Sequence, residues 1–205
     1  MIAPDLFEEP AGATPLDEED RAGLIPTWVA TRGDLNRAEH ANIVKALVWT
    51  ESRGGPHSLG ALLKESTMRA LHRRMFNEVW KWAGDYRHHN TTIGGDWPYI
   101  STQLCDLLAD VDFQTREPDR LPWSPDELAV RFHHRLVVIH PFPNGNGRHA
   151  RLAADLLVSL LGEPVFTWGA DDLSEAGSVR QTYLDTLRRA DRTREFAPLV
   201  SFARS

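Results

Sequence analysis

The sequence predicts an all-α domain carrying one β-hairpin. Two observations lead there. Apolar residues recur at three- and four-residue spacing along most of the chain, in runs opened by capping residues or closed by glycine and proline. β-forming residues flank a glycine turn in one place, residues 84–100.

Residues 1–22 are acidic and rich in proline and glycine, with little periodicity. They read as an extended or partly disordered arm, leaving a single domain over 23–205. Asp34 is placed to cap a helix reaching about Thr50, with Leu35, Ala38, Ile43, Ala46 and Leu47 on one broad face. Gly54, Gly55 and Pro56 end it. Ser66 is placed to cap the next helix, which carries Leu71, Met75, Phe76, Val79 and Trp80 and closes at Ala83 and Gly84. In the hairpin segment, Tyr86, Thr91, Thr92, Ile93, Trp97, Tyr99 and Ile100 surround Gly94, Gly95 and Asp96. A helix follows over about 102–114. Ser124, Pro125 and Glu127 form a capping box with proline in the first turn, opening a helix that runs to His140. Pro141 and Pro143 break it. Another helix starts near Gly145–Gly147, presents Leu152, Ala153, Leu156, Leu157 and Leu160, and stops at Gly162. Helical stretches over 172–190 and 195–204 complete the chain.

At 205 residues the chain is long enough to bury one substantial core. Its formal net charge of −6 argues against a general nucleic-acid binder, so no direct nucleic-acid partner is expected. The single cysteine, Cys105, excludes an intrachain disulfide and a multi-thiolate zinc site, and its helical setting reads as a small buried hydrophobe. No run approaches the roughly 20 apolar residues of a membrane span. A cytoplasmic protein without a membrane partner is the expectation.

The chemistry concentrates in residues 140–151, His-Pro-Phe-Pro-Asn-Gly-Asn-Gly-Arg-His-Ala-Arg. The first N–H groups of a helix lack intrahelical acceptors and, with the helix dipole, favour an anion. Gly145 and Gly147 would permit positive φ and close approach of phosphate oxygens. Arg148 and Arg151, one turn apart, can each offer several donors to them. His140, on the other lip, has an ordinary pKa suited to taking a proton from a hydroxyl near neutral pH. Asn144 offers a neutral oxygen able to meet Mg²⁺, and Phe142 reads as the apolar anchor of the loop. A capped, proline-rich turn would account for Pro141, Pro143, Asn144 and Gly145 alone. It gives no reason for His140, both glycines and both arginines together.

This stretch closely resembles the signature of Fic-domain (Fido superfamily) proteins, His-x-Phe-x-(Asp/Glu)-Gly-Asn-Gly-Arg-x-x-Arg. Residues 71–76, 79–84, 132–136 and 166–168 extend the resemblance to the Fic subgroup called mobile mystery protein B, over about residues 14–204. The resemblance implies a Fic-type helical domain whose hairpin is a flap, and a protein adenylyltransferase that moves AMP from ATP to a Tyr, Thr or Ser hydroxyl of a target protein. In that scheme His140 is the base and Asn144 takes the Mg²⁺ position. Gly145, Asn146 and Gly147 form the phosphate nest, and Arg148 and Arg151 hold the β- and γ-phosphates. Thr91, Thr92, Ile93 and Gly94 dock the target by strand pairing. Transfer of another nucleotide or phosphate group, and a catalytically silent binding module in a toxin-antitoxin-like pair, are the alternatives. Gly145 and Gly147 fit the adenylylating pattern and not the Ala/Lys pattern of the Doc kinases. Asn144 departs from the family, which usually has Asp or Glu there.

Many Fic proteins also carry an inhibitory helix whose glutamate pairs with the second motif arginine, here Arg151. No strict match to its Ser/Thr-x-x-x-Glu-Gly/Asn pattern occurs. Glu39, with Asn42 beside it, is the looser candidate, and a solvated helix-face charge is the favoured reading of it. The other source of a brake is a separate antitoxin-like partner, the subgroup being associated with a small helix-turn-helix protein. His133 and His134 point about 100° apart on a helix and are not expected to share a metal. Trp80, Trp82 and Trp168 read as core.

Overall fold

The computed structural model describes residues 16–117, 121–169 and 177–205. Its helices are α1 (Glu18–Arg21), α2 (Arg32–Glu51), α3 (Leu59–Leu62), α4 (Glu65–Phe76), α5 (Ile100–Thr115), α6 (Pro125–Ile139), α7 (Asn146–Leu160), α8 (Ser178–Thr193) and α9 (Ala197–Ala203). The arm expected over 1–22 lies largely outside the described residues. From Leu16 onward the chain is packed: Leu16 is buried, Asp17 caps α1, and the Trp82 indole donates to the Asp20 carbonyl at 2.9 Å.

Local chemistry explains where the helices start. α2 begins earlier than Asp34 implies, because Thr31 is the cap and Asp34 the third helical residue. The Thr31 side chain accepts from Asp34 N–H while the Asp34 carboxylate accepts from Thr31 N–H, a reciprocal capping box. Ser58 caps the short α3, and α4 follows from Lys64 without a side-chain cap, so Ser66 lies inside it. Ser124 caps α6 as expected, with Pro125 in the first turn. Residues 172–176 of the expected late helix lie outside the described residues; α8 itself starts at Ser178.

α6 and α7, joined by the 140–145 loop, make the most extensive helix pairing, and α2 packs along α4. The core between these helices holds Leu62, Met68, Leu71, Leu104, Ala129, Val130, Ala150, Ala153 and Leu157, all fully buried. α9 closes α6 and α8 at the far side. Trp80 and Trp168 belong to this core and Trp82 packs against it. Cys105 does not: it is exposed, its thiol 3.4 Å from Glu65 Oε2, on the outer face of α5.

The expected hairpin is absent. Among the described residues the β-pairing is an isolated antiparallel bridge between Leu24 and Trp80, supported by Ile25 N–H to Val79 O and Lys81 N–H to Gly23 O, both 2.9 Å. Residues 84–96 form turns and bends, and Trp97–Tyr99 a 3₁₀ turn. Side chains take the bonds that a ladder would have supplied. Asn90 accepts from Trp97 N–H and donates to Asp96, Thr91 Oγ1 donates to Ile93 O, and the Arg87 guanidinium takes the carbonyls of His89 and Gly95. Local β propensity is a weak constraint once such bonds compete with it.

Candidate active site

α6 ends on His140, whose backbone is left-handed at φ 53° and ψ 60°. Such a conformation is uncommon outside glycine and costs a residue with a Cβ on the order of 1 kcal/mol. It turns the chain into Pro141 at once. Phe142 then plunges into the core with no exposed surface, as an anchor should. Asn146 closes the loop across its neck: its Nδ2 donates to Phe142 O at 2.7 Å and its Oδ1 accepts from Phe142 N–H at 3.0 Å. Asn146 is thus a clasp of the loop, with its amide oxygen and nitrogen both engaged by the Phe142 main chain.

Gly145 caps α7 at φ 78°, and a Cβ there would lie 2.6 Å from the Phe76 ring. Gly147 differs. It has no positive φ, and the atom nearest to an added Cβ is Arg151 Nη1 at 3.9 Å. Its lack of a side chain keeps open the surface beside the arginine. The first intrahelical bond of α7 runs from His149 N–H to Gly145 O, so the N–H groups of residues 146–148 precede the ladder.

The two arginines diverge. Arg148 turns to α2, where its Nη1 lies 2.8 Å from Glu39 Oε2, and it stacks over Phe76. Arg151 turns to α8 and sits over the Tyr183 ring at 5.5 Å. Glu39 is not a solvated charge. Only 2% of it is exposed, and its other oxygen accepts the Trp80 indole N–H at 2.8 Å. The resemblance singles out Glu39 as a candidate partner of Arg151; the pairing found is with Arg148, 109 residues away.

His140 is almost wholly enclosed, with 7% exposure. Its Nδ1–H donates to Val137 O at 3.2 Å, so the neutral ring carries its lone pair on Nε2. Burial pushes its pKa down to about 4; the Arg87 charge acts in the same direction, and the bond to Val137 opposes both. The ring is therefore neutral at physiological pH. Gly94, at φ 118°, lies directly on it: a Cβ at Gly94 would be 2.7 Å from His140 Cβ. The tip of the 89–96 segment, with Thr92 exposed and Thr91 and Ile93 half-buried, therefore borders the histidine. Asn144 presents its backbone carbonyl to His72 and its side-chain oxygen to Gly145 N–H.

Residues that the sequence did not single out support this loop. His72, fully buried on α4, receives Gly84 N–H on Nδ1 at 2.9 Å and donates from Nε2 to Asn144 O at 3.0 Å. It stacks on Phe142 with ring centroids 3.7 Å apart. Burial, reinforced by His149, keeps it neutral, with a pKa well below the ordinary value. His149 donates to Met68 O at 3.0 Å. His133 and His134 form no metal pair: His133 meets the Tyr183 hydroxyl at 3.0 Å and His134 meets Asp191 at 2.8 Å. Arg87, also missed, bonds the 89–95 segment and the end of α6 together. Nothing in periodicity marks His72 or Arg87, since the loop groups they hold, Asn144 O and His140 O, lie 72 and 53 residues away.

Residues 62–158, which contain this loop and the helices that brace it, match the model of the Fic/DOC family. This chain carries a Fic/DOC-family segment. Protein adenylyltransferase fic-1 of Caenorhabditis briggsae is 33% identical over 95 residues, 46% of this chain and 19% of that protein. Protein adenylyltransferase Fic of Aedes aegypti is 30% identical over the same length. The chain therefore spans about a fifth of the length of the curated relatives it matches. Among solved structures, Fic-1 of Caenorhabditis elegans superposes with a TM-score of 0.65 at 24% identity, covering 89% of this chain and 51% of the other. The Bartonella tribocorum effector BepC with bound AMPPNP superposes with a TM-score of 0.61 at 14% identity, covering 92% and 97%. The helical frame around the Fic loop is thus that of the solved Fic proteins.

Proposed function

We propose that this protein is a protein adenylyltransferase. ATP is the co-substrate, and a Tyr, Thr or Ser hydroxyl of a target protein is the acceptor. One observation carries the reading. His140, neutral with its lone pair on Nε2, stands across a clasped loop from the N-terminus of α7 and its two arginines. The acceptor oxygen attacks the α-phosphorus, its proton passes to Nε2, and the bond to the β-phosphate breaks to release pyrophosphate. Most of the barrier in such a transfer is met by positioning and charge neutralisation. The N–H groups of residues 146–148, Arg148 and Arg151 supply the latter, and Gly145 and Gly147 keep the surface close to the phosphates. The 91–94 segment holds the acceptor beside His140, by main-chain pairing in the proposed scheme.

Mg²⁺ fits this site only as a guest of the nucleotide. The one His/Cys/Asp/Glu group of metal-ligating spacing among the described residues is Asp17, Asp20 and His89, which includes no loop residue. Asn144 would give Mg²⁺ a neutral oxygen, and the ion would offset phosphate charge. Asn144→Asp adds a carboxylate there and should lower the Mg²⁺ concentration for half-maximal transfer by about tenfold, one extra charge at an ion site being worth on the order of 1–2 kcal/mol. A Mg²⁺ titration of both forms checks this, and coincident curves count against the metal role of Asn144.

The deciding experiment incubates the protein with ATP labelled at the α- or the γ-phosphate. Label passing to protein only from the α-position supports AMP transfer. Transfer only from the γ-position supports the phosphate-transfer alternative. No transfer from either, with nucleotide still bound, supports the silent binding module.

The Glu39–Arg148 pair is proposed as an internal brake, since the carboxylate occupies the guanidinium meant for phosphate. Its partner is Arg148, not the Arg151 that the family resemblance implies. Glu39→Gly should raise self-modification by about tenfold or more, the equivalent of freeing one buried charge-assisted bond. Unchanged labelling would remove the internal brake and leave a separate antitoxin-like partner, such as the small helix-turn-helix protein of the resembled subgroup, as the source of control. Among the described residues no helix is long and apolar enough to cross a membrane. A cytoplasmic site of action, where ATP and target proteins abound, is part of the same proposal.

A further inference from the structure

Among the described lysines and arginines Arg87 is the most enclosed, with 1% exposure, and no described carboxylate bonds to it. Its partners are main-chain carbonyls from two different segments. Nε donates to His140 O at 2.7 Å, and Nη2 reaches Ile139 O at 3.4 Å. Nη1 donates to His89 O at 2.7 Å, and Nη2 also donates to Gly95 O. Its own backbone N–H donates to Pro141 O at 3.0 Å. A buried guanidinium needs compensation for lost hydration. Here the carbonyls at the C-terminus of α6, the negative end of its dipole, supply it.

Two consequences follow from those bonds. The carbonyl of His140 belongs to a left-handed residue, and the Nε bond fixes that peptide and hence the direction in which the imidazole leaves the chain. The carbonyls of His89 and Gly95 bracket the tip that carries Thr91, Thr92, Ile93 and Gly94, so the same planar group sets the height of that tip above the ring. The clearance is small. A Cβ at Gly94 would lie 2.7 Å from His140 Cβ and 2.9 Å from Arg87 Nη2. A point charge cannot reproduce this. Lysine has the charge but lacks the fixed fork that reaches both segments at once.

We infer that Arg87 is a positioning residue that registers the acceptor-docking segment against the base, by bonding both to one guanidinium. The inference rests on the proposed transfer reaction for its kinetic consequence and on geometry alone for its structural one. Arg87 touches no reacting atom. It acts through His140 and the 89–95 main chain, so its loss should weaken acceptor use and leave nucleotide binding intact.

The test uses Arg87→Lys and Arg87→Met in the full chain. Three quantities are read: affinity for a fluorescent ATP analogue, transfer to a protein acceptor, and amide hydrogen exchange of residues 89–96. Lysine should keep analogue affinity within about twofold and reduce transfer by about 10²-fold, the scale of a misplaced reacting group. It should also speed exchange in 89–96 while leaving α7 at the wild-type rate. Methionine should lower transfer further, with lysine giving partial rescue. Wild-type transfer and exchange in the lysine variant would overturn the inference, and so would a loss of analogue binding that parallels the loss of transfer. If methionine unfolds the protein, the lysine variant decides. If the wild-type protein transfers nothing, the adenylyltransferase reading fails, while exchange in 89–96 still tests whether Arg87 sets the register.

Discussion

Replacing His140 with alanine should lower AMP transfer by about 10²–10⁴-fold, the usual worth of a positioned general base, while ATP-analogue affinity stays within about twofold. The reason lies in the division of labour around the loop. Nucleotide contacts are assigned to α7 and its arginines, and His140 enters only when the acceptor hydroxyl gives up its proton. Its Nδ1–H is committed to Val137 O, so Nε2 is the atom lost. Alanine is not an ideal control, because position 140 is left-handed at φ 53°. Asparagine tolerates that region better, so His140→Asn should keep the loop shape and lose transfer to the same degree. Single-turnover labelling with α-labelled ATP checks both. Residual transfer near wild-type in the asparagine variant would assign the proton to another acceptor.

The second large effect is on stability in acid. Burial holds His133 at about 3 and His140 and His149 at about 4, and drives His72 well below its ordinary value; His134 is lowered for the same reason. In the unfolded chain each returns to about 6.5. A folded pKa below the unfolded one gives stability that is complete above about pH 6.5. It is lost as pH falls toward 4, since unfolding then takes up protons. Asp20 and Asp155, raised to about 6 by burial, work the other way between about 4 and 6. The histidines outnumber them, so the net slope keeps its sign. Each net proton is worth about 1.4 kcal/mol per pH unit, and Tm should fall by about 10 °C or more between pH 7 and pH 5. Thermal melts across that range test it. A flat profile would mean that the buried histidines take up protons without unfolding.

Helices and loop were legible in the sequence because their determinants are local. Ser124, Pro125 and Glu127 announce α6 within four residues, and the twelve residues from His140 to Arg151 carry the loop, its breakers and the glycine-flanked start of α7. Local cues also misled where tertiary bonds overrule them. Thr91, Ile93 and Trp97 around a glycine turn have strand propensity, but Arg87 and Asn90 satisfy that segment without a ladder. Asp34 has the chemistry of a cap, yet Thr31 three residues earlier completes the box. Glu39 is the instructive miss. A glutamate among helix-face residues ordinarily faces water, and only the approach of α7 and Trp80 makes it a buried partner of Arg148.

The Asn146 clasp bears on the thermodynamics of nucleotide capture. With Phe142 sealed in the core and both of its main-chain groups bonded to one side chain, the loop is already ordered before any phosphate arrives. A binding loop that must first freeze loses conformational freedom with every residue it orders, and affinity falls accordingly. Here that loss was met when the chain folded. If α7 binds ATP as proposed, the binding entropy on the protein side should be small, and replacing Asn146 should weaken ATP binding through entropy, which calorimetry of wild type and variant would read.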